Sequence, residues 1–400
     1  MLPIGQHISS INDLHILILP SWYPIPESPL NGIFFKEQAR ALHASGLRIG
    51  IVAPIQRSIR ELRGGNLHRH RLIVDFNIEA GIPTYRSLGW AFPKCWRLNR
   101  ILFLNQARKL VGEYIKRFGK PDLIHAHACI WGGIAAQRAA GEFSVPYIIT
   151  EHSTLFGRGL IPEWQKPEIA AALSHASACI AVSGSLREKL QEYSSNCQID
   201  IVPNIIDTTF FRKPKALRTI KPFAFLTVAF LHAKKGISLL LQAFAEKFKG
   251  VDDVEVWVGG DGPERKRLES LATKLGISKQ VQFLGMLSRE RVRDVMWKAN
   301  AFVLPSYHET FGVVFVEAMS TGIPVIGTRC GGPEEIITPR TGLLVAIGDI
   351  EGLGNAMAAL RDNYSRYNPE EISREMEERY GTESVIKRLK HIYARVLSTT

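Results

Sequence analysis

Two carboxylates eight residues apart, Glu309 and Glu317, flank a glycine in the stretch 306–326, SYHETFGVVFVEAMSTGIPVI. Upstream, 301–304 is a short apolar run closed by Pro305, which reads as a buried parallel strand. Residues 313–320 then turn helical, with Glu309 in the turn and Glu317 about two turns into the helix. A strand, a glycine turn and a helix start together present unpaired backbone N–H groups and a positive dipole end, which suit a phosphate. A carboxylate cannot bind a phosphate directly, but it accepts hydrogen bonds from hydroxyls, as on a ribose and a hexose. The combination points to a nucleotide-sugar pocket.

A second set of candidate residues ends other strands. The run 122–127, DLIHAH, is a strand whose two histidines share one face at the period of two. A histidine on an apolar strand is ordinarily a satisfied core group, and that is the expectation for His125. His127 falls at the strand's end, before a Gly132-Gly133 turn, where open α/β sheets bind their ligands. The run 146–152, PYIITEH, repeats the arrangement. Gly32 ends a Pro-rich loop directly before an amphipathic helix at 33–42, so its loop can bring N–H groups to a charged ligand. The turn 259–263, GGDGP, is superficially like a dinucleotide fingerprint but lacks the third glycine and the later ribose acid.

Alternating strands and helices must position these groups. In the first half, strands are expected at 14–19, 49–53, 72–76, near 84–85, and at 122–127, 146–152, 178–182 and 199–202. A helix is expected at 97–118, and the Arg-rich stretch 55–71 reads as a mobile excursion. The polar, basic stretch 207–222 reads as a linker. Beyond it come strands at 223–229, 254–258, 281–284, 301–304 and 323–327, with helices at 236–248, 264–275, 288–299 and 312–320. Beyond 350 helices dominate, and the last keeps helical spacing through Val385, Ile386, Leu389, Ile392, Tyr393 and Leu397.

Composition bounds the partners. Four hundred residues suit two or three domains, and 46% hydrophobic with 22% charged residues describes a soluble globular protein. No apolar run approaches the roughly 20 residues of a membrane helix, and no signal peptide is expected. Five scattered cysteines without a C-x-x-C pair argue for a reducing compartment and against a zinc site. Of the net charge of +12, more than half lies in residues 1–205, which hold 22 Lys and Arg against 15 Asp and Glu. The excess gathers in Arg57, Arg60, Arg63, Arg69 and Arg71, then in Arg97, Arg100, Arg108, Lys109, Lys116, Arg117 and Lys120. A solvated surface or an anionic membrane face fits this charge. Nucleic acid does not, because no reader motif accompanies it.

With these stretches in order, the chain resembles the retaining glycosyltransferases of family 4. The resemblance is strongest over 223–348, in HETFGVVFVEAMSTGIPVIGT, VGGDGPE, FLG and GGPEEII. In the first half SWYP, NGIFFKEQARAL, DLIHAH and VPNIID also fit. The resemblance implies the α/β GT-B fold, two Rossmann-like domains facing across a cleft. Residues 1–205 would form the acceptor side and 206–379 the nucleotide-sugar side, with 380–400 as a helix packing back on the first domain. It implies that Glu309 contacts the donor sugar and Glu317 the ribose, as the two acids of a Glu-x7-Glu motif. The N–H groups of Thr310, Phe311, Gly312 and Val313 would meet the diphosphate. His127 would lie near the anomeric centre, and Gly285 and Met286 would cup the base. Lys235, before Gly236, would neutralise the leaving diphosphate, with Gly32, Lys234 and Gly259 on the donor side. One departure stands out: a second basic residue expected a few positions earlier is Phe230, which Lys234 or His232 would have to replace.

The expected activity is therefore transfer of a sugar from a nucleoside-diphosphate sugar to a hydroxyl acceptor, with retained configuration and neither metal nor cofactor, as no D-x-D sequence is present. The acceptor would be a glycan or lipid-linked glycan of envelope or capsular polysaccharide synthesis, and the enzyme cytoplasmic, peripheral at the inner membrane face. The alternatives are a GT-B nucleotide-sugar epimerase and a catalytically silent nucleotide-sugar-binding protein.

Overall fold

The computed structural model describes residues 13–28, 31–59, 74–194, 197–212 and 222–398. The chain forms two compact units. One takes Met1–Val182, Leu186–Ile205 and Ile386–Thr400, and the other Ser183–Ser185 and Ile206–Val385.

The first unit opens with β1 (His15–Pro20), α1 (Ile33–Ala44), β2 (Arg48–Ser58), β3 (Val74–Glu79), β4 (Ile82–Ala91) and α2 (Trp96–Phe118). It continues through β5 (Leu123–His127), a wide turn at Cys129–Gly133, α3 (Ile134–Phe143) and β6 (Tyr147–Glu151). Then come α4 (Lys166–Ser174), β7 (Ala178–Ala181), α5 (Gly184–Gln191) and β8 (Ile199–Ile201). The eight strands lie in the order β3-β4-β2-β1-β5-β6-β7-β8, parallel except for β3 against β4. Every residue of β1, β5, β6 and β7 is buried, as expected of parallel strands covered on both faces. Strand order reverses between β1 and β5, so the connections leaving those strands run to opposite faces and open a crevice at the strands' carboxyl ends. The register sets Pro20 beside His127 and His127 beside Thr150.

The second unit begins with α6 (Thr208–Phe211), β9 (Phe223–Val228), α7 (Ile237–Phe248), β10 (Val254–Gly259), α8 (Arg265–Leu275), β11 (Val281–Gly285) and α9 (Arg289–Lys298). It goes on to β12 (Ala301–Leu304), α10 (Val313–Ser320), β13 (Val325–Thr328), α11 (Gly332–Ile336), β14 (Gly342–Val345), α12 (Ile350–Asp362) and α13 (Pro369–Tyr380). Its sheet is wholly parallel, in the order β11-β10-β9-β12-β13-β14. This is the doubly wound order, with its reversal between β9 and β12. Helix α10, VVFVEAMS, is rich in β-branched residues that favour helix only weakly. Burial of Phe315, Val316, Ala318 and Met319 holds it instead.

The last helix, α14 (Thr382–Ser398), starts after Gly381 and groups from Ile386 onward with the first unit. Lys390 Nζ donates to Ser45 O (2.7 Å), Tyr393 OH meets His125 Nδ1 (2.8 Å), and Arg395 pairs with Asp200. Val385, Ile386, Leu389, Ile392 and Tyr393 are buried as their spacing indicates, but the last buried position is Val396 rather than Leu397.

Other expectations shift. Strand β2 runs on to Ser58, because residues 55–58 pair with 88–91 of β4, so the excursion cannot start at Ile55. Arg60, Arg63, Arg69 and Arg71 lie outside the described residues. Helix α10 spans Val313–Ser320 as expected, but at 3.6 residues per turn Glu317 lies about one turn into it rather than two. Among the described residues no helix is long and apolar enough to cross a membrane.

Candidate active site

The reversal between β9 and β12 assembles the second unit's polar residues. The chain leaves β9, makes a short turn at Ala233–Lys235, and enters α7 through Gly236 in a left-handed conformation (φ 66°). A Cβ on Gly236 would sit 2.0 Å from Pro305 O, just after β12, so only glycine lets the two strand exits approach this closely. Across that approach Lys235 Nζ meets Glu309 Oε1 at 2.5 Å, and Ser306 Oγ donates to the same oxygen at 2.8 Å. The Glu309 backbone is held as well, its carbonyl accepting from Gly332 N at 3.0 Å.

Helix α10 follows from Gly312 (φ 97°), which offers no capping side chain, and its first turn contains no acid. Its leading N–H groups and dipole are therefore uncompensated by the helix's own residues. Thr310 Oγ1, beside this start, is buried without a protein partner. Val313, Val314 and Glu317 form the half-exposed stripe of α10, at helical spacings of three and four. Glu317 thus shares a face with the helix start, and its side chain leans towards that end. These residues could bind a phosphate at the N–H groups and hydroxyls at the two carboxylates.

The neighbouring strand exits carry the remaining donor-side candidates. Added Cβ atoms on Gly260 and Gly262 would meet the backbone oxygens of Ala229 and Leu231 at 1.9 and 2.6 Å. The bend between them leaves Phe230 61% exposed. Gly259 ends β10, Gly285 ends β11, and Met286 beyond it is 67% exposed. Lys234 O accepts from Tyr307 N at 2.8 Å, and His232 Nδ1 accepts from Lys234 N at 3.3 Å. Sequence reasoning missed Arg265, at the head of α8, whose guanidinium lies 3.2 Å from the position of a Cβ on Gly285. It pairs with Asp261 (3.6 Å) and Glu269 (2.9 Å).

In the first unit, both strand histidines are fully buried, so exposure does not separate them. Hydrogen bonding does. His125 uses both ring nitrogens, on Tyr393 OH (2.8 Å) and Thr150 Oγ1 (2.7 Å). His127 uses one, Nδ1, on His152 Nε2 (3.1 Å), and its buried Nε2 has no protein partner. His152 Nδ1 in turn meets Asn204 Oδ1 at 2.8 Å. Phe35, from the start of α1, packs tilted against His127 (4.8 Å between centroids) and edge-on against His152 (5.0 Å). Burial holds His125 and His152 down to about 3, and His127 well below the ordinary histidine range.

The turn after His127 is fixed on several sides. Ala128 takes a positive φ of 63°, costly for a residue with a Cβ. Ser21 Oγ donates to Ala128 O (2.9 Å) and accepts from Gly132 N (2.8 Å). Buried Glu151 accepts from the backbone N–H groups of Cys129, His152 and Ser153. Gly32 caps α1 at φ 77°, where a Cβ would meet Trp22 Cδ1 at 2.9 Å. The sequence flagged the strand end at His152 and the stretch VPNIID, but gave Asn204, Glu151 and Ser21 no role. Among the described residues no group of three His, Cys, Asp or Glu is placed to hold a metal ion.

Two doubly wound units, each with polar residues gathered at its strand reversal, make up the GT-B fold. A family described as "Glycosyl transferases group 1" matches residues 208–379, and "Glycosyltransferase Family 4" matches 32–210. The chain belongs to the family-4 glycosyltransferases. It is 30% identical over 291 residues to N-acetyl-alpha-D-glucosaminyl L-malate synthase of Bacillus anthracis, covering 69% of this chain and 75% of that protein. With the lipopolysaccharide core biosynthesis glycosyltransferase LpsD of Rhizobium meliloti it shares 27% over 336 residues, 82% of this chain and 84% of that one. It shares 28% over 253 residues with a phosphatidylinositol N-acetylglucosaminyltransferase component of Arabidopsis thaliana, 62% of this chain, and spans 56% of that protein's length. Among solved structures, a sucrose-phosphate synthase from Thermosynechococcus elongatus superposes with a TM-score of 0.78 at 21% identity, covering 97% of this chain and 100% of that one. Anabaena HepE in complex with UDP gives 0.73 at 18%, with the same coverage.

Proposed function

We propose that this glycosyltransferase moves a hexosyl group from a nucleoside-diphosphate sugar to a hydroxyl acceptor, with retained anomeric configuration and without a metal ion. The observation that carries this reading is the Lys235–Glu309 pair at the strand reversal of the second unit, next to the uncapped start of α10. The diphosphate sits on the N–H groups of Thr310, Phe311, Gly312 and Val313, with Lys235 and Lys234 supplying positive charge. Glu309 holds sugar hydroxyls and Glu317 the ribose. Gly259, Gly285 and Met286 border the base, and the loop at Gly32 is a further proposed donor contact. The structurally similar HepE, which binds UDP, supports a nucleotide donor.

In the reaction, the bond from the anomeric carbon to the phosphate oxygen breaks. The acceptor oxygen bonds to the same face of that carbon, and the acceptor's proton passes to the departing phosphate. Negative charge accumulates on the diphosphate, where Lys235 and the helix start stabilise it more than in the ground state. His127 holds the sugar near the reacting carbon. Lys234, His232 and Arg265, the last beside the Gly285 turn, are the proposed substitutes for the charge missing at Phe230.

The proposed acceptor is a glycan or lipid-linked glycan of the cell envelope, met at the anionic inner face of the cytoplasmic membrane. Helix α2 supports this, with six Lys and Arg against one acid and with Trp96, Leu98 and Ile101 exposed. The test is product analysis of the purified protein with UDP-sugars and lipid-linked acceptors, in the presence of chelator. A glycosylated acceptor, with the donor's anomeric configuration and one UDP released per transfer, is expected. Epimerised free sugar without acceptor, tight donor binding with no turnover, or strict Mg²⁺ dependence would each replace the reading.

A further inference from the structure

We propose that Asn204 and His152 are positioning residues that fix the tautomer of His127, so that its Nε2 is presented as a bare hydrogen-bond acceptor. The placement of each ring proton follows from its partner. Asn204 Oδ1 can only accept, and it lies 2.8 Å from His152 Nδ1, so that nitrogen carries the hydrogen. A neutral ring protonated at Nδ1 has its lone pair at Nε2, and His152 Nε2 lies 3.1 Å from His127 Nδ1. His127 must then donate from Nδ1. Its remaining lone pair is on Nε2, the buried atom with no protein partner.

The neutrality this chain requires has a physical source. The rings of Phe34 and Phe35 lie about His127 and His152, at 4.8 to 5.2 Å between centroids, and His125 stacks on His127 at 4.3 Å. The buried acid nearby, Glu151, is occupied by three backbone N–H groups. A neutral amide, not a carboxylate, ends the relay. Burial then favours the uncharged form of both rings. An acceptor at Nε2 selects a donor, and of the groups on a nucleoside-diphosphate sugar the hydroxyls donate while the ionised phosphate oxygens do not. The arrangement thus assigns the sugar, rather than the diphosphate, to His127. This assignment rests on the proposed donor class, whereas the tautomer itself does not.

The test is ¹⁵N NMR of the histidine side chains in the full-length, ligand-free protein. The wild type should show both His127 and His152 protonated at Nδ1 and bare at Nε2. Asn204→Asp replaces the amide with a charge that favours the imidazolium of His152. That ring then donates from both nitrogens, so His127 must turn Nδ1 into the acceptor and move its hydrogen to Nε2 as pH is lowered. A wild-type His127 protonated at Nε2, as an opposite amide orientation would give, overturns the proposal. So does an Asn204→Asp signature identical to wild type at every pH in protein whose circular dichroism is unchanged. Asn204→Leu should leave the His127 signals divided between tautomers and lower kcat about tenfold, with the melting temperature of the donor-free protein little changed. If the tautomer stands and no sugar is transferred, the functional reading fails and this one survives.

Discussion

Lys235 and Glu309 are 74 residues apart in sequence and 2.5 Å apart in space, joined where the second sheet reverses direction. Their side chains are 19% and 11% exposed, so the pair is sheltered from water without being sealed off. A cation held in this way is already oriented before charge develops, and such donors contribute most at the transition state. Lys235→Met should lower kcat by about 10²–10³-fold, while calorimetry finds donor binding weakened much less. Turnover within threefold of wild type would remove Lys235 from the chemistry.

The same reversal makes a claim on stability. Gly236→Ala forces a Cβ towards Pro305 O and adds the cost of a left-handed backbone. Gly250→Ala shares the positive φ (78°) but has nothing within 4 Å of its Cβ, so it isolates the backbone cost. Gly236→Ala should destabilise by roughly 2–3 kcal/mol, a melting drop of about 5–10 °C, and clearly more than Gly250→Ala. Equal drops in thermal melts would mean the close approach is not selective.

Glu317 is expected to act through binding. From its place on the half-exposed stripe of α10, its carboxylate would accept charge-assisted bonds from ribose hydroxyls that do not change during the reaction. Glu317→Ala should raise the donor KM about 10- to 100-fold with kcat nearly constant, as follows from losing roughly 1.5–3 kcal/mol of uniform binding. Steady-state kinetics in which kcat falls and KM holds would place Glu317 nearer the reacting bond.

Most of the fold was readable because alternating apolar runs and amphipathic helices leave a periodic record. The strand 301–304 was placed to the residue, and the helix expected at 97–118 to within one residue at its start. The errors arise where three-dimensional pairing overrides that record. Strand β2 outruns its apolar stretch because Arg57 and Ser58 find partners on β4. The start of α10 at Val313 was read correctly, but the depth of Glu317 was overestimated, since four residues make only about one helical turn. Glu309, in the turn after a strand, and His127, at a strand end, were singled out from those positions. The partners of His127 were not, since His152 and Asn204 are brought together across 52 residues by a sheet register that no local spacing encodes.

Four buried histidines tie the stability of the first unit to pH. His15 is held down to about 4, His125 and His152 to about 3, and His127 well below its ordinary value, with burial the largest cause in each. Unfolding frees them to titrate near 6.5, so the unfolded chain binds more protons below that pH. Their contribution is fully present above about pH 6.5 and is lost as pH falls towards the folded values, at up to about 1.4 kcal/mol per pH unit for each group. Urea midpoints should therefore fall steeply between pH 6.5 and 4.5, with amide exchange in β5 and β6 rising first. A midpoint flat over that interval would mean these rings are already charged in the native state.

Helix α2 supplies the test of membrane attachment. Its outward stripe carries Arg97, Leu98, Ile101, Arg108 and Lys109, all exposed. Arg108 is engaged by Glu142, whereas Arg97 stacks over the Trp164 ring, which leaves its charge in place beside the apolar residues. Apolar side chains gain from insertion at a lipid interface, and each nearby Lys or Arg adds about 1 kcal/mol on an anionic surface. The wild type should therefore sediment with vesicles containing anionic lipid, and weakly with neutral ones. Salt should release part of it, because the charge contribution is screened while the insertion of Leu98 and Ile101 is not. Leu98→Glu combined with Ile101→Glu should abolish sedimentation at low salt and leave transfer to a water-soluble acceptor intact. Binding that ignores both lipid charge and this double substitution would assign the exposed face of α2 to solvent alone.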